Sequence, residues 1–227
     1  MLLFISAIVI SMIITSSLGV LYFDVNMATH EWHVVVLMVI ATTVALLIGN
    51  LFFVPIIRIL PKKWFNPHLK LYITGKHEKR LYQFLHINKW KDKFPDASKY
   101  DAGYDKSYVG ELTSDNIILF ARETVYAEVI HYAGILASVI IPIIYFMVPI
   151  YVISGLFWGV ILPCAIINIF LNLPFIFIQR HNRPRLMRIY KLLIKKERKT
   201  EVCELIGDEN ESMLNLLEEE PCEPKTI

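Results

Sequence analysis

The sequence of 227 residues has few charged side chains, few glycines and few cysteines, and each scarcity excludes a class of protein. Charged residues make up 19% of the chain, whereas a soluble domain has about 25%. Nine glycines and three cysteines exclude a collagen-like chain and a disulfide scaffold. There is no Gly-rich phosphate loop and no internal repeat. The chain is instead 55% hydrophobic, which excludes a disordered protein and disfavours a water-soluble globule.

The apolar residues are concentrated in four blocks, each long enough to cross a membrane as a helix. A bilayer core of about 30 Å needs about 20 apolar residues in a helix. The blocks cover residues 2–22, 33–57, 130–147 and 154–178. We therefore predict an all-α integral membrane protein with four transmembrane helices. A cleaved signal peptide is the alternative for the first block, and it is disfavoured because no Lys or Arg precedes the apolar run.

The basic residues predict how these helices are oriented. Ten of the 23 Lys and Arg residues lie in segment 61–100 and nine lie in segment 180–199, whereas the loop 23–32 has none. Positively charged segments stay on the cytoplasmic side of a membrane. We therefore predict a multi-pass protein of the cell membrane, with the 61–129 loop and both termini in the cytosol.

These patterns divide the chain into five segments. Residues 1–60 form a first transmembrane hairpin, 61–122 a cytosolic basic loop, 123–186 a second transmembrane hairpin, 187–199 a basic juxtamembrane segment and 200–227 an acidic tail. Nine of the 21 acidic residues follow Thr200, so we expect a disordered tail. The three cysteines, Cys164, Cys203 and Cys222, have neither disulfide nor metal-site spacing, and we expect free thiols.

The basic loop contains a segment, 77–95, in which apolar and basic residues alternate. Leu81, Phe84, Leu85 and Trp90 fall near helical spacing and are flanked by lysines. One interpretation is an interfacial amphipathic helix that lies among lipid headgroups. The other is a solvated basic loop that packs on the protein. Its positive charge could also recruit an anionic substrate, such as the phosphates of coenzyme A.

Ionisable residues occur at the start of the third apolar block, and we expect the helix to begin near Ser114 or Asp115, which are good N-caps. Glu128 and His131 are three residues apart and therefore share a helical face. Glu123 lies on an earlier turn, about 80° around the helix from His131. Ionisable groups at a membrane boundary are costly and indicate function. The pair could equally be structural, with Glu128 bonding Arg or Asn side chains of the fourth helix. We expect no metal site, because a second Glu-x-x-His pair is absent.

A polar stripe follows the fourth apolar block. At 100° per residue, Asn168, Asn172, Gln179 and Arg183 lie within about 60° of one another. Polar residues in lipid usually face other helices, so the stripe could be no more than interhelical contact. If the third and fourth helices pack antiparallel, Glu123, Glu128 and His131 meet this stripe at the inner membrane interface. Carboxylate, imidazole and guanidinium groups there suit acyl or phosphoryl transfer on a lipid headgroup.

Several of these residues belong to motifs that resemble a known family. The motifs are Glu123-Thr124 to Ala127-Glu128-Val129-Ile130-His131-Tyr132, Asn172-x-Pro174, Gln179-Arg180-x-Asn182-Arg183-Pro184-Arg185-Leu186 and Lys89-Trp90-Lys91-Asp92-Lys93. Between about Lys62 and Lys199 the chain resembles the glycosyl-4,4'-diaponeurosporenoate acyltransferase family. The resemblance implies a bacterial cytoplasmic-membrane enzyme that esterifies a sugar hydroxyl of a C30 carotenoid glycoside with a fatty acyl group, as in staphyloxanthin-type biosynthesis.

We assign roles to the candidate residues within this hypothesis of a membrane O-acyltransferase. His131 would be the general base, oriented by Glu128, with Glu123 as a further catalytic candidate. The predicted substrate-binding residues are Gln179, Arg180, Asn182, Arg183, Arg185, Asn172, Lys89, Trp90 and Lys91. Arg180 and Arg183 would hold donor phosphates or the developing oxyanion, positioned by Asn182, and the Lys-rich loop would gather the donor.

The expected partners are membrane lipids, a glycolipid or carotenoid glycoside acceptor and an acyl donor, such as acyl-coenzyme A, which acts as a co-substrate. We expect no cofactor and no nucleic acid. The competing hypotheses are a non-catalytic lipid-binding or assembly protein and another lipid-headgroup transferase.

Overall fold

The computed structural model describes residues 2–27, 32–93, 112–149 and 155–218, and throughout these residues the only regular structure is helical. Side chains are described for residues 6, 8–22, 32–93, 112–149 and 155–199. Six α-helices are present: α1 Leu2–Met27, α2 Trp32–Ile59, α3 Lys76–Phe84, α4 Ile87–Trp90, α5 Ser114–Phe146 and α6 Leu162–Glu218. A π-helical turn, Phe157–Ile161, leads into α6.

Three of the helical segments are long and apolar enough to cross a membrane. They are Trp32–Ile59, Ser114–Phe146 and Phe157–Lys199. In α1 the described apolar stretch is the shorter Ile8–Tyr22. The described part of the chain is therefore all-helical, with three helices suited to a bilayer, while the fourth span and the cytosolic position of both termini stay predictions.

Helix α5 begins at Ser114, as its polar start predicts, but its N-cap is the preceding residue. The Thr113 side chain accepts a hydrogen bond from the Asn116 amide at 3.3 Å, which satisfies one of the free amides of the first turn. The Ser114 amide donates to Glu197 Oε1 at 3.1 Å. The start of α5 is thus bonded directly to the part of α6 that lies in the predicted juxtamembrane segment.

Helices α5 and α6 form the most extensive helix pair among the described elements, and they run antiparallel. The direction follows from the contacts: Arg183 bonds Thr124, Asn172 bonds His131 and Asn168 bonds Ser138. Residue numbers rise along α5 as they fall along α6. Both helices extend well beyond the predicted apolar blocks, so the polar residues at their ends lie on continuous helices.

The chain between α2 and residue 93 folds back onto α5 and α6 as short helical pieces. It contains the 3₁₀ turns Lys62–Phe65, Lys70–Tyr72 and Lys91–Lys93 in addition to α3 and α4. The Phe65 ring stacks on Tyr126 of α5, with ring centroids 4.1 Å apart. Tyr82 and Ile87 are buried in a cluster with Ile178 of α6. The basic loop is therefore anchored to the second hairpin by aromatic packing.

The single amphipathic helix that was one interpretation of segment 77–95 is two short helices in the structure. The chain breaks after Leu85 because His86 adopts a left-handed conformation with φ of 50°. Leu85 and Trp90 pack against the buried cluster, whereas Leu81 and Phe84 stay exposed. Pro95 and the turn-like stretch 96–110 lie outside the described residues.

The division of the chain into five segments stays a prediction. The backbone of α6 continues across the boundary at residue 200 and ends at Glu218. The end of the acidic tail lies outside the described residues.

Candidate functional site

Glu128 on α5 is a fully buried carboxylate held by two guanidiniums of α6. Its side chain is 1% exposed, with Oε1 2.6 Å from Arg180 Nη1 and Oε2 2.6 Å from Arg183 Nη2. Arg183 Nη2 also donates to the Thr124 carbonyl at 3.0 Å. A buried charge needs such partners, since its desolvation cost is several kcal/mol.

Arg183 joins three segments of the chain from a buried position. Its side chain is 2% exposed. Nε donates to Thr124 Oγ1 at 3.0 Å, Nη2 donates to the Thr124 carbonyl at 3.0 Å and Nη1 donates to the Tyr72 carbonyl at 3.1 Å. The guanidinium also lies 5.6 Å from the centroid of the Tyr72 ring. Because its donors are used within the protein, these contacts favour a positioning role for Arg183.

Arg180 makes a second set of links between α6 and the loop. It forms a two-bond ion pair with Glu78 of α3, in which Nη2 donates to Oε2 at 3.0 Å and Nε donates to Oε1. Nη1 also donates to the Leu71 carbonyl at 3.2 Å. The Thr74 hydroxyl in turn donates to the Arg180 carbonyl at 2.8 Å. We call Glu78, Glu128, Arg180 and Arg183 the ion cluster.

The environment of Glu78 keeps it ionised. Burial raises the pKa of Glu78, but hydrogen bonds from Arg180 and the Tyr82 hydroxyl outweigh burial, and its pKa is lowered below the ordinary value of 4.5. Burial and the neighbouring Glu78 carboxylate raise the pKa of Tyr82. Burial and the Glu128 charge likewise raise the pKa of Tyr72. Both phenols are therefore neutral hydrogen-bond donors at physiological pH.

His131 contacts a residue of the polar stripe. Its Nδ1 lies 2.9 Å from Asn172 Oδ1, and its ring stacks on Phe175 with centroids 4.6 Å apart. Asn172 Nδ2 donates to the Asn168 carbonyl at 2.9 Å, which fixes the amide with Oδ1 toward the imidazole. An amide oxygen only accepts, so Nδ1 must carry a proton. In the neutral ring, Nε2 is then the nitrogen with the basic lone pair.

A network of amide and hydroxyl groups supports Asn172 from the membrane side. Asn168 Nδ2 donates to Ser138 Oγ at 2.8 Å, and Asn50 Nδ2 donates to Asn168 Oδ1 at 3.2 Å. Gly134 leaves the space that this network fills, because a Cβ there would lie 2.7 Å from Asn50 Oδ1 and 2.9 Å from Asn172 Oδ1. We call Asn50, Ser138, Asn168 and Asn172 the amide network. It links α2, α5 and α6 next to His131.

Glu123 lies outside the ion cluster. Its Oε2 accepts a hydrogen bond from Arg58 Nη1 at 2.7 Å, and about a third of each side chain is exposed. The Arg58 guanidinium also lies 5.0 Å from the centroid of the Tyr126 ring. These contacts tie the end of α2 to α5, and they favour a structural role for Glu123.

The remaining predicted binding residues form a second, more exposed group around the start of the juxtamembrane segment. Lys91 Nζ donates to Asn182 Oδ1 at 3.2 Å, and Trp90 Nε1 donates to the Leu85 carbonyl at 2.9 Å. Lys89 and Arg185 are exposed, whereas Gln179 is buried. The structure therefore brings Lys91 and Asn182 together, as a cationic and an amide group next to the ion cluster.

The contacts of these side chains differ from the predicted division of roles. The carboxylate expected to orient His131 is bound by two arginines, while Asn172, predicted to bind substrate, contacts the imidazole. All four residues of the polar stripe are buried. Within the described residues, no three His, Cys, Asp or Glu side chains are grouped as a metal site would require.

Sequence reasoning missed the loop residues that complete the ion cluster, Thr124 as a partner of Arg183, and Asn50 and Ser138 of the amide network. A signal existed for Glu78, which is the first of only three acids in the basic segment 61–100. Thr124 lies one turn before Glu128 and so shares its helical face. The sequence could not indicate the bonds to the Leu71 and Tyr72 carbonyls, because every residue has a backbone carbonyl.

Comparison with known proteins identifies the family. Residues 61–192 match the family described as glycosyl-4,4'-diaponeurosporenoate acyltransferase. The chain belongs to this family. The matched residues include the whole ion cluster, His131 and Asn172, and they agree with the resemblance that the motifs indicate. Asn50 and Arg58 lie before them.

Proteins of the same name in Staphylococcus aureus are similar to this chain. Those of strains bovine RF122 / ET3-1 and Newman are each 31% identical over 147 residues, which is 60% of this chain and 78% of the relative. That of strain MRSA252 is 30% identical over 143 residues. No solved structure matches the chain.

Proposed function

We propose that this protein is a membrane O-acyltransferase that transfers a fatty acyl group to a sugar hydroxyl of a glycolipid. The family name supports the reaction class and a glycosylated carotenoid as acceptor. The observation that carries the proposal is the contact between His131 Nδ1 and Asn172 Oδ1. A histidine whose Nδ1 is bonded to an amide oxygen at 2.9 Å presents Nε2 as a general base.

The proposed reaction begins with proton removal from the acceptor. His131 Nε2 takes the proton of the sugar hydroxyl while the hydroxyl oxygen attacks the carbonyl carbon of the acyl donor. The carbon–oxygen ester bond forms and the bond from the carbonyl carbon to the leaving group breaks. For a thioester donor the leaving thiolate receives the proton from the imidazolium, so no net proton is gained or lost. The reaction needs no cofactor, since the donor is a co-substrate.

The ion cluster provides the frame for this chemistry. Arg183 and Glu128 hold α5 against α6, while Arg180 and Glu78 hold the loop over the same end of the hairpin. Arg180 is the more accessible arginine, with a side chain that is 14% exposed. It is therefore the better candidate for contact with a substrate oxyanion or phosphate, whereas Arg183 positions its neighbours.

The exposed cations beside the ion cluster suit an anionic donor. Lys91 is held by Asn182, and the exposed Lys89 and Arg185 add positive charge. Phosphates are bound readily by such Lys and Arg groups. We propose that these residues collect an acyl-coenzyme A donor, with Trp90 and Gln179 as supporting contacts.

The proposed location is the cytoplasmic membrane of a bacterium. Four membrane-spanning helices with both termini in the cytosol would place the basic loop and the ion cluster at the inner interface. The acyl donor would arrive from the cytosol and the lipid acceptor from the inner leaflet.

A second candidate is a non-catalytic lipid-binding or assembly protein. It is favoured by the ion cluster itself, because Arg180 and Arg183 bond to carboxylates and carbonyls within the protein. In this function, His131 and Asn172 would only join α5 to α6.

Purified protein in nanodiscs, given acyl-coenzyme A and a glycosylated carotenoid, tests the proposal. We expect an acylated product from the wild type and a loss of about 10²–10⁴-fold in kcat for His131→Ala. His68→Ala is the control, since His68 is an exposed histidine of the loop whose ring lies 5.8 Å from that of Tyr190. Full activity in His131→Ala would contradict the assignment of the base. A folded wild type without product from several donors and acceptors would favour the non-catalytic function.

A further inference from the structure

The loop between α2 and α5 exposes large apolar side chains to the same extent as the membrane-facing surface of α2. Leu71 is 73% exposed and Phe84 is 78% exposed, compared with 69% for Leu51 and 84% for Ile59 on α2. Trp64, Leu69, Ile73 and Leu81 are also exposed. Single exposed apolar residues are ordinary on a protein surface. Six exposed apolar residues within residues 64–84 are more than an ordinary surface has, and they indicate a surface that contacts an apolar phase.

These exposed side chains do not belong to the hydrophobic core, because other residues of the same segment already pack into it. Phe65, Tyr72 and Tyr82 are buried against α5 and α6. Leu71 and Ile73 flank the buried Tyr72, and Thr74 after them is bonded to the Arg180 carbonyl. The exposed residues therefore alternate with residues fixed to the protein and cannot turn inward without breaking these contacts.

Helix α3 divides its surface between three environments. At 100° per residue, Glu78 and Tyr82 share the face that meets Arg180, while Leu81 and Phe84 share a second face. Lys76, Lys79 and Gln83 form a third, exposed face. This arrangement of protein-facing, apolar and basic faces is that of a helix lying in the plane of a membrane interface.

Charge around the apolar residues identifies the membrane as their partner. Six basic residues of the same segment are exposed: Lys62, Lys63, Lys70, Lys76, Lys79 and Arg80. Basic residues near the surface of an anionic leaflet are attracted to its headgroups. Tryptophan is also typical of the headgroup level. A protein partner could cover the apolar side chains without the six exposed Lys and Arg residues around them.

We propose that residues 62–84 form an interfacial platform that inserts Trp64, Leu71, Ile73, Leu81 and Phe84 into one leaflet, with the lysines bound to anionic headgroups. The platform is continuous with α2, whose last residues reach the interface. Its other side carries Glu78 and the carbonyls of Leu71 and Tyr72, which bind the two arginines. Insertion therefore sets the ion cluster at the depth of the lipid headgroups.

Spin-label accessibility in nanodiscs with anionic lipid tests the platform without any assay of enzymatic activity. The background is Cys164→Ala, Cys203→Ser, Cys222→Ser, and a single nitroxide is attached at Leu71→Cys or Phe84→Cys. Gln83→Cys and Lys79→Cys are matched controls on α3. We expect labels at 71 and 84 to collide several-fold more with oxygen than with a polar nickel chelate, and labels at 79 and 83 to show the reverse.

Two outcomes would overturn the proposal. Water-like accessibility at both 71 and 84 would place the segment in solvent, and shielding from both relaxants would indicate a protein contact. A second measurement keeps all native cysteines: lipids brominated in the acyl chain should quench the wild type more than Trp64→Phe. Equal fractional quenching of the two would also count against insertion. Because neither measurement uses turnover, failure of the platform is distinguishable from failure of the acyltransferase proposal.

Discussion

Asn172 Oδ1 lies 2.9 Å from His131 Nδ1, and this contact joins two helices whose residues are 41 positions apart in the chain. The Asn172 amide cannot turn around without losing its bond to the Asn168 carbonyl. The imidazole therefore has one tautomer when neutral. Glu128, which the sequence predicts to orient the ring, forms ion pairs with Arg180 and Arg183.

Replacing Asn172 by leucine should lower kcat much more than it changes KM. Leucine is similar in volume but offers no acceptor to Nδ1, so both tautomers of His131 become populated and the ring loses its fixed orientation. We expect a reduction in kcat that is smaller than that of His131→Ala. Steady-state kinetics of the protein in nanodiscs would measure it.

Asn172→Asp is the matched variant, because its carboxylate keeps an acceptor toward His131. It should retain more activity than Asn172→Leu. Equal activity in the two variants would mean that the acceptor on residue 172 has no part in turnover.

A methyl group at position 134 should disturb the amide network. Gly134→Ala would bring a Cβ to 2.7 Å from Asn50 Oδ1 and 2.9 Å from Asn172 Oδ1, closer than nonbonded atoms approach. Overpacking of this kind costs about 1–3 kcal/mol. We expect a lower unfolding midpoint and reduced acyl transfer, measured by thermal unfolding in detergent and by turnover.

Gly49→Ala is the control for this prediction. A Cβ at position 49 would meet only the Ala137 and Ile141 side chains, at 3.3 and 3.4 Å. The change should therefore be milder. A Gly134→Ala protein as active as Gly49→Ala would show that Asn172 does not need its present position.

Loss of the buried carboxylate should destabilise the hairpin strongly. Glu128→Gln leaves Arg180 and Arg183 without their shared counter-charge in a buried site, which costs about 3–5 kcal/mol. Chemical unfolding of the purified protein measures the loss. Glu123→Gln removes the partly exposed ion pair with Arg58, so it should cost only about 0–1 kcal/mol. Similar losses in the two variants would contradict the difference in burial.

Acidification should release α3 from the ion cluster. The folded-state pKa of Glu78 is below its ordinary value of 4.5, so its charged form stabilises the folded loop above about pH 4.5. This contribution is lost as the pH falls from 4.5 through the lowered pKa. Hydrogen-exchange protection of residues 76–84 should decrease over that range.

Glu78→Gln provides the comparison, since it cannot titrate. Protection of α3 in this variant should be low at neutral pH and should change little on acidification. If it matched the wild type at every pH, the Glu78–Arg180 pair would not be what holds the loop.

Much of the second hairpin could be predicted from the sequence. The apolar blocks predicted the spanning helices, and the 100° spacing of Asn168, Asn172, Gln179 and Arg183 predicted a stripe that proves to be buried. Positive charge after the fourth block and a polar start before the third predicted that their ends would meet. These features depend on helical periodicity, which sequence records directly.

The partners within the site could not be predicted in the same way. The sequence left open whether Glu128 would orient His131 or bond Arg or Asn side chains of the fourth helix. A guanidinium carries a full charge and several donors, which favours the second contact. The position of Glu78 beside Arg180 depends on the fold of the loop. The helix break at His86 needs a left-handed backbone conformation, and the sequence has no glycine there to indicate it. The Asn172 contact depends on the register between two helices.

The two arginines hold the loop partly through the carbonyl oxygens of Leu71 and Tyr72, and this has a consequence for divergence within the family. A peptide carbonyl is supplied by whichever amino acid occupies the position. Leu71 can therefore be replaced by other apolar residues without loss of the hydrogen bond from Arg180. Arg180 and Arg183 cannot vary in this way, because lysine lacks the planar guanidinium group that bonds a carboxylate and a carbonyl at once.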